Sequence, residues 1–200
     1  VLKPDIGLMF EEDLSDEIFK EFENSVKTDG LNLLVESKEP SGPMMCSEWH
    51  VIPVVLAFIG KSYFDGFLKE MGKDHYQFFK ESLSSLSNKV MDPPRIEPTL
   101  MGTKGKLSTN NPFSLAFAIH AETNDGFTFK LLIPKSSIHC SYDLITIKFM
   151  EFIEDYHLGI KDLNSIGFVN PHPLPPKGLI FVHYNIEANS IEWLNEKDYR

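Results

Sequence analysis

Cysteine is nearly absent: Cys46 and Cys140 are the only two in 200 residues. A small secreted domain stapled by disulfides carries more, at regular spacing. Reduced thiols and a cytoplasmic location are therefore the expectation. Positive charge is also scarce. Nineteen Lys and Arg face 29 Asp and Glu, for a formal charge of −10. A surface for nucleic acid needs clustered Lys and Arg, so no nucleic-acid partner is expected, whereas a basic protein partner is compatible. Long hydrophobic runs are missing too. The run Val51–Ile59 covers nine residues and contains Pro53; a membrane-spanning helix needs about 20. Widening it to residues 49–68 takes in His50, Gly60, Lys61, Ser62, Asp65 and Gly66. Residues 49–68 read as a buried segment, with membrane association as the minor alternative. The opening VLKPDIGLMFEED lacks a basic stretch followed by an apolar one, so no signal peptide is expected. The first residue is Val, which leaves residues ahead of it open.

Phenylalanine, by contrast, is abundant, at 16 residues within a 42% apolar composition. That much aromatic area argues for a packed core and against disorder. The pattern reads as one α+β domain over 1–200, with a subdivision into 1–91 and 92–200 at the proline-rich Asp92–Pro98 as the alternative. An N-terminal β-α-β unit comes first. Asp5–Glu11 is a strand, and Ser15 caps a helix over Asp16–Thr28 with Ile18, Phe19, Phe22 and Val26 on one face. Gly30 suits the helix terminus, and Leu31–Glu36 is the second strand, parallel to the first.

Residues 47–90 read as a long central apolar helix pair. Ser47 caps the first member, Pro53 kinks it, and Gly72 separates the two. Asp74 and Gln77 suggest a capping box for the second helix, whose stripe is Tyr76, Phe79, Leu83, Leu86 and Val90. Antiparallel hairpins with one further helix follow. Phe113–Ala121 and Phe127–Ile133 flank the turn Asn124-Asp125-Gly126. Ser141 caps the helix Tyr142–His157, with Leu144, Ile145, Ile147, Phe149, Phe152 and Ile153 inward. Pro171–Pro176 reads as an extended linker, and Leu179–Tyr184 with Ile191–Leu194 forms the last hairpin.

Cys46, Glu48 and His50 are the residues closest to a catalytic set. A cysteine before a helix N-terminus has a lowered thiol pKa, and a histidine four residues on can act as its base. The surrounding Met45-Cys46-Ser47-Glu48 matches no cysteine-protease signature, so a packed thiol is the main reading and no catalytic residue is assigned. Cys46, His50, His120, His139 and Cys140 lack the paired spacing of a zinc site, so no metal or other cofactor is expected. The loop Gly102–Ser108 fails the phosphate-loop pattern, because Leu107 follows Lys106. The carboxylates Glu11, Glu12, Asp13, Asp16, Glu17, Glu151, Glu154 and Asp155 read as solvated surface.

Trp49 and Tyr63 each combine a large apolar body with a polar tip, as interface anchors do. Lys73, Asp74 and His75 form a mixed-charge surface beside them. These five are the candidate binding residues. Two function classes follow. The leading one is a non-catalytic protein-interaction protein, for which a bacterial toxin-neutralising (immunity) or defence-accessory role fits the size and the charge. The alternative is a small enzyme built on Cys46, Glu48 and His50.

Overall fold

The computed structural model describes residues 3–42, 48–100, 111–136, 141–169 and 178–195, apart from the side chains of Glu48, Glu70 and Met71. The fold is α+β. Its centre is a seven-stranded mixed sheet in the order β2-β1-β3-β4-β5-β6-β7. The strands are β1 Ile6–Glu11, β2 Leu33–Lys38, β3 Val55–Ile59, β4 Phe113–Glu122, β5 Thr128–Pro134, β6 Leu179–Asn185 and β7 Ser190–Trp193. The helices are α1 Glu17–Val26, α2 Leu68–Met71, α3 Lys73–Met91 and α4 Tyr142–His157.

The β-α-β unit forms as the pattern implies, with β1 and β2 parallel. Asp16 rather than Ser15 occupies the α1 N-cap. Both hairpins form, β4 against β5 and β6 against β7, each antiparallel. α4 spans the expected residues, although Leu144 faces solvent.

The central helix pair is where the structure overturns the expectation. Val55–Ile59 is a strand, antiparallel to β1 and parallel to β4. An all-apolar run has no periodicity, so it suits a strand buried on both faces as well as a helix. Pro53 and the β-branched Val54 and Val55 favour the strand. Helix begins only at Lys61 and includes a wide π turn, Tyr63–Phe67, before α2. Gly60 makes the sharp exit from β3 possible: a Cβ there would lie 2.8 Å from the Pro4 carbonyl oxygen. Gly72 does end α2, at φ 80°. No capping box forms at α3; the Gln77 amide instead donates to Glu81. No helix among the described residues is long and apolar enough to cross a membrane.

The helices share one face of the sheet. Ile6, Leu8, Phe10, Ala57, Ile59, Ile119, Phe129, Leu131 and Val182 point toward Phe19, Phe22, Tyr63, Phe79, Phe149 and Phe152. With every helix on that side, the crossover β5–α4–β6 winds with the opposite hand to β1–α1–β2 and β3–α2–α3–β4, because it steps the other way across the sheet relative to its strand direction. The other face carries a smaller cluster of Trp49, Phe113, Leu132, Phe181 and Leu194. The proline-rich segment is clamped to the sheet. The Glu97 carboxylate accepts from Ser114 Oγ, the Leu115 N–H at 2.8 Å and Arg95 Nε at 2.9 Å, while Arg95 also donates to the Lys135 carbonyl.

Candidate surface on the helix layer

Tyr63 and Trp49, expected as exposed anchors, are 0% and 3% exposed, so neither ring is offered to a partner. The wide π turn explains Tyr63. It puts Tyr63, Phe64 and Phe67 on the buried side together, and the Tyr63 ring lies 5.3 Å from that of Phe79. Trp49 packs between Phe113 and Phe181, at 6.3 and 6.0 Å.

His75 holds this region together. Its Nε2 is 3.0 Å from the Val26 carbonyl. A carbonyl only accepts, so Nε2 carries a proton, and in the neutral ring Nδ1 then accepts from the Tyr63 hydroxyl, also at 3.0 Å. One imidazole thus joins the last residue of α1, the π turn and the start of α3. Burial, with the nearby Glu154 charge, pushes the Tyr63 phenol well above its ordinary value. Its hydroxyl stays protonated and remains the donor.

The exposed residues of this region lie on the outside of α3. Lys73 and Asp74 face solvent in its first turn. One turn on, Phe78 is 63% exposed. The sequence does contain its signal. In the pair Phe78-Phe79 only one ring can join the stripe Tyr76, Phe79, Leu83, Leu86, and the other must turn about 100° away. One turn farther along the same side of α3, from Ser82 onward, a groove runs between α1 and α3 with a volume of about 220 Å³, lined by Ile18, Phe22 and Leu86 among others. Ser25 Oγ and Ser82 Oγ meet at 3.0 Å along it, and Lys89 pairs with Glu21 at 2.6 Å across its far end. The groove is smaller than the roughly 300–1,000 Å³ of small-molecule sites. It has the size to receive one large side chain.

The other groups with chemical potential lie within the packed fold, where His120 Nε2 and His157 Nδ1 are buried without a hydrogen-bond partner among the described residues. On the sheet face away from the helices, Phe58, His120, Lys130 and Phe181 form one cross-strand row. Lys130 is buried, and its ammonium donates to the carbonyls of Trp49 at 2.9 Å and Val51 at 3.0 Å. It fastens the segment leading into β3 to the sheet. Burial, helped by the Lys130 charge, pushes the His120 imidazole down to about 3. His157 stacks on Phe64 at 4.0 Å and pairs through Nε2 with the Glu122 carbonyl.

Of the suggested catalytic set, His50 is exposed and meets Phe181 edge-on at 5.6 Å. Glu48 lies in the short turn Glu48–His50. Cys46 lies outside the described residues, as do Ser47, His139, Cys140, the loop Gly102–Ser108 and Pro171–Pro176. Among the described residues no group of three or more His, Cys, Asp or Glu is placed to hold a metal ion. No protein-family model matches the chain, and no curated protein and no solved structure was found to be similar to it.

Proposed function

We propose that the protein acts by binding another protein, with no chemistry of its own, through the outer face of α1 and α3. The observation that carries this reading is Phe78, a large ring 63% exposed on α3 one helical turn before the Ser82 end of the α1–α3 groove. Exposed aromatics next to a pocket are the usual anchors of protein interfaces. Phe78 takes the anchor role first assigned to Trp49 and Tyr63. Lys73 and Asp74 supply the charged rim, and His75 positions the surface from beneath. The formal charge of −10 favours a basic partner, because complementary charge speeds encounter. Neutralisation of a basic toxin is one activity of this kind.

The test compares the wild-type chain with Phe78→Ser and Asp74→Lys in capture from extracts of the native cell. A specific protein should be retained by wild type and lost, by roughly tenfold or more, with Phe78→Ser, while the melting temperature stays put. Equal retention by all three, or turnover of a small molecule that disappears with Cys46→Ala or His50→Ala, would replace this reading.

A further inference from the structure

We propose a second docking surface, at the C-terminal end of α4, that receives a basic amphipathic segment of a partner protein. It rests on the reading of the chain as a binding protein but shares no residue with the α1–α3 groove. Leu158, Ile160 and Val169 are 64%, 68% and 70% exposed, three large apolar side chains displayed within twelve residues.

Their display is built by hydrogen bonds. The Asp155 carbonyl accepts from the N–H groups of Ile160 at 2.8 Å and Lys161 at 3.2 Å, which closes a tight turn after the helix. Just beyond, the Asp162 carboxylate accepts from the Ser165 N–H at 2.9 Å, and the Ser165 hydroxyl accepts from the Asp162 N–H at 3.0 Å. The turn is thus pinned on both sides of Ile160.

The charge around these residues is one-sided. Glu151, Glu154 and Asp155 occupy the last turns of α4, at the negative end of the helix dipole, where carboxylates are unfavourable. His157 is the sole basic residue of the last turn. Burial lowers its pKa, so it supplies little positive charge near neutrality. Asp65 and Asp125 also act on His157, and Asp125 accepts from the Tyr156 hydroxyl at 2.7 Å. Against these stand Lys148, paired with Glu151, and Lys161, 3.7 Å from Asp155.

Exposed apolar side chains that follow a helix end carrying more carboxylates than cations select their occupant. A second copy would bring the same negative excess in a two-fold contact, with like charges opposed. An anionic membrane would be repelled in the same way. A segment with apolar residues on one side and Lys or Arg flanking them satisfies both the exposed area and the charge.

The probe is a synthetic amphipathic Leu/Lys helix of about 14 residues, titrated into the full chain while backbone amide shifts are followed. Expected are shifts centred on residues 155–162, and binding that weakens strongly between about 50 and 500 mM salt. The double variant Leu158→Asp, Ile160→Asp should bind at least about tenfold more weakly with an unchanged melting temperature. Phe78→Ser should bind the probe like wild type, so loss of the α1–α3 reading leaves this one standing. The proposal is overturned if shifts map elsewhere, if the double variant binds equally, or if a scrambled peptide of the same composition binds as well. Binding to phosphatidylserine vesicles, or dimerisation abolished by the double variant, would assign the surface to a membrane or to a second copy instead.

Discussion

Phe129 and Lys130 are consecutive on β5 and both are buried, yet they hold the protein together by different physics. Phe129 points into the helix layer, where its ring meets Phe152 at 5.2 Å and Tyr156 at 5.1 Å. Lys130 points to the other face, where its ammonium ties two backbone carbonyls beneath a small cluster around Trp49 and Phe181. One side of the sheet is held by apolar area, which tolerates many shapes of similar volume. The other depends on a few directed bonds to a buried charge, where removing one partner leaves the others unsatisfied.

Truncating each residue separates the two mechanisms. Phe129→Ala should cost about 3–5 kcal/mol in urea unfolding, from lost area plus the cavity. Lys130→Met keeps most of the stem and removes the ammonium. It should cost less, about 1–3 kcal/mol, from the stranded carbonyls of Trp49 and Val51. Equal costs would mean that the second face is also held mainly by area.

Acid sharpens the contrast. His120 titrates near 3 when folded, against an ordinary 6.5, because burial and Lys130 disfavour its charged form. The unfolded chain therefore binds more protons between these values. The contribution of neutral His120 is complete above about pH 6.5 and is lost as pH falls toward 3, on the order of 2–4 kcal/mol. Burial lowers His183 and His157 as well, and both act in the same direction. His120→Phe should flatten the fall in stability over that pH range. An unchanged slope would locate the acid sensitivity elsewhere.

Smaller effects belong to the helix layer. Tyr63→Phe removes the hydroxyl that His75 accepts from and should cost roughly 0.5–1.5 kcal/mol. Phe78→Ser, outside the core, should change stability by about 0.5 kcal/mol or less. A larger loss would make Phe78 a packing residue and remove it as an anchor.

Much of this was legible in the residues. The β-α-β start, the two hairpins, the separation at Gly72 and the extent of α4 follow from patterns within about twenty residues. Phe78 was legible too, as the member of its aromatic pair that the stripe cannot use. Val55–Ile59 was not. An apolar run carries no periodicity, and its conformation is chosen by β1 and β4, whose pairing residues lie far along the chain on either side. Trp49 was misplaced for the same reason: its surroundings, Phe113 and Phe181, are remote in sequence.

By itself, then, the sequence determined the local elements, the acidic balance and the presence of a large aromatic core, because these depend on near neighbours and on composition. Tertiary structure alone decided which aromatics are offered to a partner. It also placed His120 beside Lys130, since strand register joins residues ten apart across a hairpin. It brought Asp125 to the Tyr156 hydroxyl and so to the last turn of α4. Charge and area become a surface only when distant segments are packed at fixed distances, and that arrangement is set by the whole core.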